Sequence, residues 1–335
     1  MPEIGWRMEA VRPGANVRAF TPEVAGTYTF DLSRDVPKTI TGVVVPPNEW
    51  AVLDVRLDQI AVYLIIDGVE HPMSTFAFAE LARQKNVVTD ADGNAADLIT
   101  TSLADRCLLL VRNTGRAETL NPGFDPSDEL QRILSNSGIP YSVAASANLS
   151  VGSITWDGNT TDLAKAKELG TLSGHRPLWA DNNAVIRSVQ SQVVDTEIVE
   201  LASLQPVAES IAVVEKFLTA PNRVIVSDNA NAGYAVRGQW DAPASAPHSE
   251  ANRGYVLARV EELQGLGSGA HAQNVAATLG ESYTARTLSA RIVPTPVLDG
   301  PQVISYDGAN WLVTGWSVDL SPGSTMSIQA EELVM

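Results

Sequence analysis

Trp50 to Ala79 reads WAVLDVRLDQIAVYLIIDGVEHPMSTFAFA, and its periodicity decides the fold class. Leu53, Val55 and Leu57 alternate with Asp54, Arg56 and Asp58, the pattern of a strand with one wet face. Ala61 to Ile66 is apolar at both parities, which predicts a strand lying between two layers. The Asp67-Gly68 pair supplies the positive φ of a two-residue hairpin turn, and His71 to Ala79 returns as a strand. The same period-2 recurrence of apolar residues between Gly, Pro, Asn and Asp runs through the first third of the chain. Repeated short strands without long helices predict a barrel or a sandwich.

Near residue 122 the pattern changes. Asn121-Pro122-Gly123 is a break, and Asp125-Pro126-Ser127-Asp128 places an N-cap acid, a proline at the first helical position and a second acid in the first turn. Leu130, Ile133 and Leu134 follow at helical spacing, and Ser137-Gly138 with Pro140 ends the helix. A second helix is predicted from about Thr161 to Leu169, with Leu163, Ala166 and Leu169 on one face and Gly170 closing it. A strand around Ser153 to Trp156 precedes it, and a hairpin through Trp179, Asp181-Asn182-Asn183 and Val185 follows, making a small α/β unit. Ile211 to Leu218 fits a helix or a buried strand equally well. Arg223 to Val226 and Tyr234 to Trp240 read as strands, and Asp241 to Glu250 as an exposed crossover. A helical pattern returns between about Ser268 and Arg286. β-structure closes the chain, with Trp316, Val318 and Leu320 alternating with Ser317, Asp319 and Ser321 after turns at Asp299-Gly300 and Asp307-Gly308. The order is β, α/β, β, α, β.

At 335 residues the chain is about twice a typical domain length, which gives two or three domains as the prior. Hydrophobic residues at 44% and charged residues at 19% match a globular protein rather than a disordered or fibrous one. A net charge of −16 argues against a surface that grips phosphate, so neither nucleic acid nor an anionic membrane is an expected affinity partner. A single cysteine, Cys107, excludes an intrachain disulfide framework and any Cys-x-x-Cys motif; beside Leu108 to Val111 it reads as a small buried hydrophobe. Met1 to Gly14 carries Glu3, Arg7, Glu9 and Arg12 and has no signal-like apolar core, so synthesis in the cytosol is expected. No stretch approaches the length of a membrane span, Ala61 to Ile66 being cut short by Asp67 and Gly68.

Motifs that carry chemistry are few. His71, His175, His248 and His271 are too widely spaced for a paired-ligand motif. The sequence has no Gly-x-Ser-x-Gly elbow and no Gly-Lys dipeptide, which removes the usual flags of an α/β-hydrolase and a P-loop. Gly265, Gly267 and Gly269 precede a helix, but their spacing is wrong for a dinucleotide fingerprint and no acid follows to hold a ribose; a flexible link fits better. Asp90, Asp92, Asn94 and Asp97 alternate as calcium ligands do, yet Gly93 stands at the fourth place of the loop and no glutamate at the twelfth, so a hairpin tip is the simpler reading. Trp6, Trp50, Trp156, Trp179, Trp240, Trp311 and Trp316 are scattered one per element, as packing anchors are. No catalytic, cofactor-binding or metal residue is assigned, and no cofactor is expected.

Several stretches together resemble the tail hub proteins, or minor tail proteins, of long-tailed bacteriophages, related in fold to the baseplate hub of contractile tails. They are Asp35 to Gly42 with the Trp50 segment, Ile65 to Glu70 running into Met73 to Phe78, Ile154 to Thr160 leading into a helix, Leu178 to Asn182, and Val303 to Gly308 with Trp311 and Gly315 to Gly323. None is a catalytic signature; their order along most of the chain carries the resemblance. Where the family usually has Pro-Leu-Gly after the acidic residue of the strand, Glu70 is followed here by His71-Pro72-Met73-Ser74. The resemblance implies a mixed β and α+β fold with two β-barrel domains, the second discontinuous, and a small α/β domain between them. On this chain the first barrel covers 1–121, the α/β domain 122–195 and 244–287, and the second barrel 196–243 and 288–335.

It further implies a non-enzymatic virion protein at the tail tip, made in the bacterial cytoplasm. As a homotrimer it caps the tail tube, adapts six-fold to three-fold symmetry and forms the DNA exit channel. Its partners are a distal tail protein or the tube hexamer, the tape measure protein and other tip or fibre proteins; DNA passes without specific binding, and no direct membrane insertion is expected. A receptor- or carbohydrate-binding tail protein and a cell-wall hydrolase are the alternatives. The first calls for an exposed aromatic cluster and the second for paired acids or a nucleophile beside its base.

Overall fold

The computed structural model describes residues 2–12, 17–89, 95–146, 152–190, 198–216, 218–228, 236–281 and 286–333. Strands hold 44% of the residues and helices 18%, so β-structure dominates, as the periodicity predicts. The N-terminal part contains β1 (Ile4–Val11), β2 (Arg18–Phe20), β3 (Thr27–Asp31), β4 (Lys38–Val45), a helical turn α1 (Pro47–Trp50), β5 (Gln59–Ile66), β6 (Val69–Thr89) and β7 (Ala95–Asp105). The β5–β6 hairpin turns at Asp67 (φ 49°) and Gly68 (φ 80°), with Ile66 opposite Val69, the two-residue geometry expected of Asp-Gly. Opposite Val62 and Tyr63, β6 carries one extra residue: Pro72 faces Tyr63 and Ser74 faces Val62, so the His71-Pro72-Met73-Ser74 departure is a β-bulge that drives Met73 into the core.

The strand expected over Trp50 to Asp58 does not form. Pro46 and Pro47 lack the N–H that a ladder needs and start α1 instead. The chain then turns, with Asp58 Oδ2 accepting from the Asp54 amide at 2.8 Å and Asp54 Oδ1 from the Arg56 amide at 3.1 Å. The aspartates that mimic a wet strand face are bonding to nearby backbone, the usual way in which this residue competes with a sheet.

After a 3-10 turn at Arg106–Leu110 come β8 (Glu118–Leu120), α2 (Pro126–Ser137), β9 (Tyr141–Val143), β10 (Ile154–Trp156), α3 (Asp162–Leu172), β11 (Trp179–Ala180) and β12 (Ile186–Ser188). Helix α2 forms as read: Asp125 accepts from the Ser127 amide, Pro126 leads, and Gly138 ends it in the left-handed region at φ 69°. Helix α3 starts where the sequence predicts, with Thr161 as its N-cap accepting from the Ala164 amide, but it runs on through buried Gly170 and ends only at Ser173 and Gly174 (φ 71°).

The remainder contains β13 (Ile198–Glu200), β14 (Ala212–Glu215), β15 (Arg223–Asp228), β16 (Val236–Asp241), α4 (Glu250–Arg253), β17 (Ala258–Glu262), α5 (Gly269–Glu281), β18 (Arg286–Ile292), β19 (Val303–Tyr306), β20 (Ala309–Asp319) and β21 (Met326–Glu332). The ambiguous segment after Ile211 is a strand only over Ala212–Glu215, and all four of its residues are exposed, so neither the helix nor the buried strand forms there. The crossover from Asp241 to Glu250 is exposed in part but buries Ala246, His248 and Ser249.

A sheet of 13 strands runs β14-β18-β21-β20-β3-β4-β7-β6-β5-β1-β2, with β19 on β20 and β13 parallel to β19; the other pairings are antiparallel. This path is open at β14 and at β2. Its seam joins the two ends of the chain, Trp316 standing opposite Phe30. Tyr28 meets Phe76 edge-on at 5.2 Å and Trp316 at 4.6 Å, and its hydroxyl donates to the Met73 carbonyl at 2.7 Å. β15, within the segment read as part of a second barrel, pairs with β16 and β17 and packs against α5, not with the large sheet. One apolar core fills the large sheet; a second, with Cys107, Leu130, Leu169, Val224 and Val275, fills the α/β layer.

Candidate functional site

Lys38 sits where the sheet and the α/β layer meet. At the start of β4 its side chain shares a parity with Ile40 and is fully buried. Its amide donates to Asp105 Oδ2 at 3.0 Å, while Asp105 Oδ1 accepts from the Cys107 amide at 2.8 Å. Lys38 Nζ donates to Asp299 Oδ1 at 3.1 Å and to Asn182 Oδ1 at 3.3 Å. Asn182 Nδ2 in turn donates to the Pro296 carbonyl at 2.9 Å, and Ser74 Oγ to the Asp181 carbonyl at 3.0 Å. Burial raises the carboxyls of Asp105 and Asp299 above the usual aspartate range, the nearby Lys38 opposing this in both. Burial also pushes the Cys107 thiol well up, so it stays protonated and behaves as the buried hydrophobe the sequence implies.

A cleft of about 930 Å³ opens between the face of β3, β20 and β21 and the layer holding α3 and α5. Asp31, Thr314, Ser317, Gln329 and Glu331 line the sheet side, and Lys167, His175, Arg176, Arg259 and Thr278 the other. The wall is mixed in charge and polarity.

The histidines lie on separate elements. His175 shares a 2.7 Å hydrogen bond between Nδ1 and Ser188 Oγ, and His271 Nε2 is 2.9 Å from the Leu172 carbonyl. Burial lowers the imidazole pKa of His175, and burial with the Arg253 charge lowers that of His248. Among the described residues no three His, Cys, Asp or Glu side chains are grouped to hold a metal ion. Asp90, Asp92 and Asn94 lie outside the described residues; Asp97 pairs with Arg83. Of the glycines before α5, Gly265 is not a loose link, and Gly269 is already the first residue of the helix. Gly265 (φ 81°) lies so close to Ile154 that a Cβ there would come within 2.7 Å of its side chain, and the following Leu266 amide donates to Asp228 Oδ2 at 3.1 Å. Trp156, Trp179, Trp311 and Trp316 are buried anchors, and Trp6, Trp50 and Trp240 are partly buried.

The residues that sequence reasoning missed are Lys38, Asp105, Asn182 and Asp299. One signal was present: Lys38 and Asp105 both fall on the apolar parity of their strands, beside Ile40 and Leu103. The arrival of Asn182 and Asp299 has no local signature.

Among the described residues, a large open sheet shared by both ends of the chain packs against a layer of helices and short strands. The fold is that of solved prophage and phage tail proteins, in line with the sequence resemblance. The 43 kDa tail protein of prophage MuSo2 from Shewanella oneidensis superposes with a TM-score of 0.60 at 10% identity, over 97% of this chain and 98% of that one. The tail protein from Neisseria meningitidis MC58 gives 0.60 at 14% identity, over 98% and 96%. Prophage tail protein gp18 from Listeria monocytogenes EGD-e gives 0.59 at 10% identity, over 97% and 94%. No protein-family model matches the chain, and no curated protein matches it.

Proposed function

We propose that this chain is a structural, non-enzymatic hub of a phage tail tip. The observation that carries this reading is the fold correspondence with prophage tail proteins over nearly the full length of both chains at a TM-score of 0.60. Three copies form a ring at the distal end of the tail tube. Each copy offers two β units, one from the strands of 1–121 and one from those of 196–215 and 288–335, so that three chains present six barrel-like modules to a six-fold tube. The α/β layer, drawn from 122–195 and 223–287, braces the two units from one side. The ring contacts a distal tail protein or the tube hexamer above, and the tape measure and tip or fibre proteins around the axis. The axial opening passes the genome without specific binding.

The test is a three-dimensional map of tail tips from particles carrying the chain. Three copies around the axis are expected; one copy or six would overturn the symmetry match. Purified protein imaged alone that forms a three-fold ring would add support from a simpler preparation.

A further inference from the structure

A lysine without solvent contact is costly unless its charge is compensated, and the groups around Lys38 Nζ can do more than compensate it. We propose that Lys38 and Asn182 become joined by an intramolecular isopeptide bond, with Asp299 carrying the proton. The three residues come from β4, the β11–β12 turn and the loop before β19, with 144 positions separating Lys38 from Asn182. Nζ stands 3.3 Å from Asn182 Oδ1 and 3.1 Å from Asp299 Oδ1. The Asn182 side chain is itself fixed, its Nδ2 bonded to the Pro296 carbonyl at 2.9 Å, so amine and amide are held together where Lys38 is 0% and Asn182 9% exposed, with the Asp299 carboxyl reaching them from a partly open position, 37% exposed.

The chemistry balances within the chain. The Lys38 ammonium passes one proton to the Asp299 carboxylate, which frees a lone pair on Nζ. That pair attacks Asn182 Cγ and forms the new C–N bond. Asp299 returns its proton to Nδ2 and takes one from Nζ as the Cγ–Nδ2 bond breaks. The products are a secondary amide, one ammonia and a neutral Asp299; no oxidant or reductant takes part. Burial raises the carboxyl of Asp299 above the usual aspartate range, which suits it to take up and return a proton here. The bond ties the first β unit to the α/β layer through side chains rather than through backbone hydrogen bonds.

The experiment is intact mass measurement of the purified full chain after denaturation, followed by tryptic mapping. A mass below that of the sequence by one ammonia is expected, with a branched peptide joining Lys38 to Asn182 and no cleavage after Lys38. Asp299→Ala and Asn182→Ala each restore the full mass for their sequence. A wild-type mass equal to the sequence overturns the proposal. Loss of ammonia without the branched peptide also overturns it, since asparagine can cyclise to a succinimide. Loss of water with a branch between Lys38 and Asp299 overturns the assignment of Asn182. The wild-type result is read on an unfolded chain, so it holds whether or not the variants fold.

Discussion

Charged side chains at inward positions separate the residue-level features of this fold. Lys38 and Asp105 are wholly enclosed and answered by fixed polar partners, whereas Asp58 is a nearly buried acid answered by a guanidinium near the surface. Arg12 Nε and Nη2 donate to Asp58 Oδ1 and Oδ2 at 2.6 and 2.9 Å, and these bonds hold the carboxyl below the ordinary aspartate range despite its desolvation. A depressed folded pKa means that the unfolded chain takes up its proton first as pH falls. The contribution is therefore complete above the unfolded aspartate pKa of about 4 and fades as pH drops through the lower folded value. Asp58→Asn is expected to be less stable than wild type at neutral pH, with the gap closing below about pH 4. Urea midpoints of both proteins across that range check it, and a gap that widens in acid would reject the assignment. Asp58 also explains why its neighbourhood was misread: the alternating aspartates around Leu57 resemble a strand, but they satisfy turn amides.

Among the elements, α2 was legible because cap, proline, apolar spacing and terminal glycine all agree between Asp125 and Gly138. The position of α5 was not, since its neighbours β15 and β16 end at Asp228 and Asp241, far upstream of Gly269 where the helix starts. That packing depends on one missing side chain. A Cβ on Gly238 of β16 would lie 2.1 Å from the Ala272 carbonyl oxygen, a backbone atom of α5 that cannot rotate away. Gly238→Ala therefore forces helix and strand apart, and a loss of about 2 kcal/mol or more is expected in denaturant unfolding, the usual scale of overpacking. A change below about 0.5 kcal/mol, the level of an ordinary surface substitution, would show that the layers slide past each other freely. Glycine here answers to a close approach and not to a turn, which a single strand pattern cannot reveal.

For the whole molecule, the charge of −16 acquires a use under the hub reading. Duplex DNA carries about one negative charge per 1.7 Å of axis, and basic residues along its path would release counterions and retain it. An acidic lining repels the duplex over roughly a Debye length of 8 Å at physiological salt and keeps it centred. The expected outcome is a net acidic set of axis-facing side chains in a map of the assembled ring. A neutral or basic lining would remove this role for the charge while leaving the hub reading intact, because net charge also serves solubility. Weak duplex binding at low salt is common to both cases and does not separate them.

The amino-acid sequence by itself determined most of the period-2 strands, though not the one read over Trp50 to Asp58, together with the Asp67-Gly68 turn, the capped helices and the burial of Cys107, because each depends on residues within a few positions of one another. The resemblance to tail hub proteins was also legible, carried by turns and strands in their order along the chain. Only the tertiary structure decided that β20 pairs with β3, that β15–β17 leave the large sheet for the helical layer, and that Lys38 meets Asn182 and Asp299. Those pairings link segments far apart in the chain, and their selection rests on the burial of shared apolar faces and on fixed partners for enclosed charges, neither of which any single segment contains.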